Sequence, residues 1–277
     1  MPASLRPLTT GQLLDRTFQT YRQNFILFAG ISALPQACLL VVQLAILAFG
    51  SRGGSANPIA AAGLAAIAGI CLLIISLVVA SIATAATTFA VSDIHLEKAT
   101  SIIGCFARVK GKIGRVVYTS LELGARIGVG FILLIVPGVY WAGKFGLAVP
   151  AVVLEDIKAK QAFKRSAELT KDAVGRIITI YFLTWILTVA IGLGFGIILE
   201  AIAPSLSKTA GTVTAAAFNE IVAAAINTII TPVMAIALTL AYYDQRVRKE
   251  AFDIENMMSL LGESPEPPTQ ANAGTAF

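Results

Sequence analysis

The stretch GRVVYTSLELGARIGVGFILLIVPGVYWAGKFGLAVPAVVLED, residues 114–156, decides what kind of molecule this is. Its long apolar run holds Glu122 and Arg126, a Pro137-Gly138 pair follows, and a shorter apolar run holds Lys144 and Pro150. Ionisable side chains are costly in hydrocarbon, so each one asks for a partner or a role. The basic segment IKAKQAFKRSAELTKDAVGR, residues 157–176, comes directly after.

The rest of the chain is of the same character. Of its 277 residues 56% are hydrophobic and 13% charged, which places it in the membrane class and argues against one or two soluble domains. Crossing a bilayer takes roughly 20 apolar residues at about 1.5 Å rise each. Six segments qualify: about 25–49, 61–90, 116–136, 139–154, 177–200 and 213–243. The fourth is short and carries Lys144 and Pro150. The expected fold is an all-α polytopic transmembrane bundle of about six spans. Residues 1–261 form one integral membrane domain, and the Pro- and polar-rich stretch 262–277 reads as a disordered cytoplasmic tail.

Lys and Arg set the orientation. With six spans, both termini share a side with the loops near 91–115 and 155–176. Seventeen of the 21 basic residues fall on that side, against Arg52 and Lys208 on the other, with Arg126 and Lys144 inside spans. The positive-inside rule then makes both termini cytoplasmic. The net charge of +5 is read as a collar for anionic lipid head groups, formed by Arg115, Lys158, Lys160, Lys164, Arg165 and Arg176, and not as a nucleic-acid surface. Cys38, Cys71 and Cys105 show no CxxC pairing and read as free thiols.

Three short amphipathic stretches precede pairs of spans. Thr9 and Gln12 have the spacing of a capping box, and Leu14, Phe18, Tyr21 and Phe25 follow at helical intervals. That first helix either lies in the cytoplasmic interface or packs on the bundle. Residues 99–110, stopped at Gly111, and 157–171 are the second and third. The order suggests three repeats of interfacial helix plus hairpin about an axis along the membrane normal.

Glu122 and Arg126 stand one helical turn apart, acid before base, on one face of the third span. They form either a self-neutralising structural pair or, with Lys144, a site for an anionic group such as a phosphate. Lys144 alternatively snorkels to an interface. Gly124/Gly128 and Gly192/Gly196 have GxxxG spacing, and Asn219 and Asn227 are two turns apart. His95 is the only histidine, so HExxH cannot occur. There is no GxSxG elbow or Gly-rich phosphate loop, and no metal or cofactor is expected.

Four stretches carry a family resemblance: LRPLTTGQLLDRTFQTYRQNF, IVPGVYWAGKFGLAVPAVVLED, AFKRSAELTKDAVGR and LAYYDQRVRKEAFDIENM. Together they resemble the membrane domain that accompanies some bacterial glycerophosphoryl diester phosphodiesterases, which implies a multi-pass protein of a bacterial plasma membrane. In fused members the enzyme is a separate barrel, which needs about 250 residues of its own. The resemblance supplies no catalytic residues for this chain, and Lys144 stands where members commonly have Arg. The expectation is a non-enzymatic protein that binds anionic lipid or an amphiphilic phosphate-bearing ligand, in transport or membrane organisation. The alternative is an accessory subunit docking another membrane protein or a second copy of itself.

Overall fold

The computed structural model describes residues 8–52 and 58–260, so the expected tail at 262–277 lies outside the described residues. Among the described residues the chain forms ten α-helices and no strand: α1 (Thr10–Gln23), α2 (Phe25–Arg52), α3 (Pro58–His95), α4 (Ile102–Lys110), α5 (Ile113–Leu133), α6 (Ile135–Phe145), α7 (Ala148–Leu154), α8 (Ala159–Thr170), α9 (Val174–Ala210) and α10 (Thr212–Leu260). Six segments are long and apolar enough to cross a membrane: Phe25–Gly50, Ala62–His95, Ile113–Leu133, Ile135–Leu154, Val174–Thr209 and Thr212–Glu250. The chain is a polytopic all-α bundle. A short helix followed by two long segments recurs three times, but the lengths do not repeat. α9 and α10 have 37 and 49 residues, whereas α5 has 21 and its partner is split into pieces of 11 and 7.

Local chemistry sets the boundaries. The Thr9 hydroxyl accepts the Gln12 N–H (3.3 Å) and the Gln12 side chain accepts the Thr9 N–H (2.9 Å), closing the expected capping box. Ser101 caps α4 through the Gly104 N–H, and Gly111 ends it. Prolines divide the hairpin, at places other than those expected. The third span stops at Leu133, not 136, and the chain turns on the single extended residue Leu134. Pro137 instead sits in the first turn of α6, where no intrahelical N–H bond is lost. Its ring would meet the carbonyl four residues back, on Leu133, and that is where α5 ends. Pro150 acts likewise on Gly146, where α6 ends and α7 begins two residues on.

A one-residue connection between antiparallel helices requires their backbones to touch. A Cβ on Gly130 would lie 2.6 Å from the Gly138 Cα, and a Cβ on Gly138 would lie 2.8 Å from the Phe131 nitrogen. Only glycine allows this approach.

The buried core lies at one end of the bundle. It joins Leu13 of α1, Phe28 and Ile31 of α2, Ala85–Val91 of α3, Val116, Leu147–Val153, Leu169, Ile177 and Ile236–Tyr242. At the other end α3 and α9 present exposed apolar chains such as Ile59, Leu64, Leu193 and Ile197. Such a surface suits acyl chains. α1 packs lengthwise on α10. The Leu8 N–H donates to Asp244 (2.7 Å), and the Leu8 carbonyl accepts from Arg176 and Arg248 (2.6 Å each). The Tyr21 hydroxyl donates to the Ile229 carbonyl (2.7 Å). Cys38, Cys71 and Cys105 are free.

Candidate functional site

α5 has two working faces. One carries Glu122 and Arg126, which are hydrogen-bonded to each other as the spacing predicts. The Arg126 guanidinium lies 4.4 Å above the Phe163 ring of α8 and 5.1 Å from the Phe145 ring of α6. Lys144 reaches the same Phe145 ring from its other neighbour position (5.5 Å) and also faces Tyr140 (5.8 Å). Cations over aromatic faces gain about 0.5–2 kcal/mol according to their exposure. Arg126 is 41% exposed, so the smaller figure applies to it. Two of the three expected site residues, Arg126 and Lys144, therefore lie against Phe145, and the third, Glu122, pairs with Arg126. Lys144 makes no ion pair among the described residues. Its carbonyl is held by the Ser166 and Thr170 hydroxyls of α8 (2.9 Å each), and the Ser166 oxygen accepts the Leu147 N–H (3.2 Å). α8 thus bridges the α6–α7 break and fixes the hairpin base.

The other face of α5, Ser120, Leu123, Gly124 and Ile127, lines a cavity of about 440 Å³ between α3, α5, the α6–α7 break, α9 and α10. Its wall is mainly apolar, with Ser81, Thr84, Thr88, Tyr181, Thr188, Asn227 and Thr231 as polar points. Ser81, Thr84, Thr88 and Thr188 return their hydroxyls to carbonyls of their own helices. The cavity carries no charged side chain, and the Glu122–Arg126 pair lies outside it.

The six collar residues divide into two groups. Lys158, Lys160 and Lys164 are exposed, Lys164 at 3.8 Å from Glu168. The three arginines are tied down. Arg115 binds Asp156 (2.7 Å). Arg165 bridges Glu155 (2.9 Å) and Glu250 (2.6 Å), and Glu155 also receives the Tyr242 hydroxyl. Arg176, 15% exposed, binds Asp244, which is 3% exposed and also paired with Arg248 (2.8 Å). Outside the spans, the Lys112 hydrogen bond and charge, helped by Arg115, hold Asp156 below the usual carboxylate range, and Lys249 does the same for Asp172.

Sequence reading paired Glu122 with Arg126 but missed Phe145 and Phe163 as the rings against Arg126 and the Asp244 clamp on Leu8. The signal for the clamp was present, since Asp244 and Arg248 stand one turn apart directly after the apolar run of α10. Asp244, Arg248 and the matching Arg176 all fall within the stretches that carry the family resemblance.

No curated protein and no solved structure matches this chain. One family profile does, described as the membrane domain of glycerophosphoryl diester phosphodiesterase, over residues 118–272. That range begins inside α5 and takes in the charged hairpin base, the α6–α7 break, α8 and the Arg176–Asp244 pair, whereas the resembling N-terminal stretch lies before it. The match extends over more than half of the chain, and the protein belongs to this membrane-domain family.

Proposed function

We propose that this is a non-enzymatic protein of a bacterial plasma membrane, both ends cytoplasmic, that binds an anionic phosphate-bearing amphiphile with its head group on Arg126 and Lys144. One observation carries the reading: Arg126 and Lys144 both lie against the Phe145 ring while Glu122 pairs with Arg126, so Lys144 keeps its charge without a carboxylate partner among the described residues at the base of an apolar hairpin. Arg presents a planar fork that matches a phosphate, and Lys adds a point charge beside it. Exposed Lys158, Lys160 and Lys164 on the same side supply a weaker attraction for anionic head groups, about 1 kcal/mol per residue near the surface. His95, the single histidine, lies tilted against Tyr243 (4.8 Å) and not against these groups.

The test is mass spectrometry of lipids and metabolites retained in nanodiscs, wild type beside Arg126→Gln and Lys144→Gln. A phosphate-bearing species enriched with wild type and lost from both variants is the expected result. The same lipids in all three samples would overturn the assignment. A second reading, docking of another membrane protein or a second copy, has its own observation. Beta carbons added at Gly192 and Gly196 would meet nothing within 4 Å, so that face of α9 is open. A homo-oligomer in nanodiscs that falls apart in Gly192→Leu would favour it.

A further inference from the structure

The α5–α6 hairpin combines three features that do not belong to a helix pair crossing the whole membrane. First, its turn is bare hydrocarbon. Ile132 is 86% and Val136 77% exposed, with Leu133, Leu134 and Ile135 exposed between them. A turn that emerges into water carries polar residues, as the α9–α10 turn does with Ser205, Ser207, Lys208 and Thr209. Second, the turn is cheap to desolvate. The Leu134 N–H donates to the Gly130 carbonyl (3.0 Å), and Pro137 removes one of the donors that a helix start leaves free. Unpaired backbone groups are what exclude loops from lipid, and this turn has few of them.

Third, the base of the hairpin is docked to a polar helix. Phe163 of α8 sits under Arg126, and Ser166 and Thr170 of α8 hold the Lys144 carbonyl. The outer face of α8 carries exposed Lys160, Lys164 and Glu168. A helix with that face lies at the membrane surface and not in hydrocarbon. Arg126 and Lys144 are therefore at the surface too. From Arg126 to Leu134 the chain rises about 12 Å, and from Leu134 back to Lys144 about 15 Å. One leaflet of the hydrocarbon core is about 15 Å deep.

We propose that Ile127–Gly143 is a re-entrant hairpin that enters only the leaflet on the basic side, its tip covered by acyl chains near the midplane and Arg126 and Lys144 held at the phosphate level. The long segments α2, α3, α9 and α10 then make the four full crossings. A hairpin that turns back inside the membrane returns to the side it left, so the distribution of Lys and Arg is unchanged. The placement also relieves the two cations of the midplane cost that a complete span would impose on them.

The test uses the full chain with its three cysteines replaced and single cysteines introduced by Leu134→Cys, Lys160→Cys or Lys208→Cys. An impermeant maleimide is applied to intact cells and to inverted vesicles. Lys160→Cys and Lys208→Cys define the two sides, each labelled from one side and opposite to the other. The expected result is loss of labelling at position 134 from both sides, with a nitroxide there within about 5 Å of the bilayer midplane by collisional depth measurement. Labelling of position 134 from either side, or a nitroxide at an interface, would overturn the proposal. Ile132→Cys gives a second position on the same exposed turn. The measurement reads depth alone, so it stands or falls separately from lipid retention at Arg126.

Discussion

The α5–α6 and α9–α10 hairpins are both apolar, both begin on the basic side, and both carry an arginine near an acidic partner. They differ in where each is closed. α9–α10 is locked at its base, where Arg176 and Arg248 share the buried Asp244 and clasp the Leu8 carbonyl, and its turn is polar and ends in Gly211 at positive φ. α5–α6 is closed at its tip, where Gly130 and Gly138 bring the backbones into contact, and its base is held by the Ser166 and Thr170 hydroxyls of α8 while its basal ion pair is half-exposed. The difference teaches that equal hydrophobicity does not mean equal topology. The ion pair is buried at the base of one hairpin and half-exposed in the other, where the proposed ligand would meet it.

The contrast can be broken at several points. Asp244→Ala leaves Arg176 buried without its carboxylate, and we expect a loss of about 3–5 kcal/mol, read by denaturation in mixed micelles. Gly138→Ala forces a Cβ onto Phe131 and costs about 1–3 kcal/mol in the same assay, whereas Gly192→Ala, facing open space, is neutral or stabilising. Arg126→Gln lowers retention of anionic lipid about tenfold, equivalent to about 1.4 kcal/mol, with no comparable loss of stability. Glu122→Gln changes stability by less than about 1 kcal/mol, because the pair is screened, but strengthens anionic lipid retention by removing the competing carboxylate.

The smallest effect is with pH. Asp156 and Asp172 have lowered folded-state values, so their contribution is complete above the ordinary aspartate range near about 4 and is lost as pH falls through the lowered values. Lys112→Met should flatten part of that acid limb in a pH series of unfolding midpoints.

Much of this was legible in residue order. The six apolar segments, the Thr9–Gln12 cap and the Glu122–Arg126 bond depend on neighbours within a few positions, and such signals survive in a linear string. Arg115, Arg165 and Arg176 looked like collar residues because their acids, Asp156, Glu155 with Glu250, and Asp244, are brought in by tertiary contact. That Arg126 and Lys144 lie against one ring, Phe145, likewise depends on where the hairpin turns. Placing that turn at Pro137-Gly138 missed the rule that a proline acts on the carbonyl four residues before it. The cavity had no local signal, being assembled from side chains on α3, α5, the α6–α7 break, α9 and α10 that are far apart in the chain.

The bond from Leu8 to Asp244 also orders events in time. Its two ends are 236 residues apart, so the first helix leaves the ribosome roughly 10–50 s before its acceptor exists, at ordinary rates of synthesis. Throughout that interval the Leu8 N–H and carbonyl lack the Asp244 and Arg248 partners they have in the finished fold. The arrival of α10 completes the clasp of Asp244, Arg176 and Arg248 on Leu8, so the last span to be made is the one that fixes the start of the first helix.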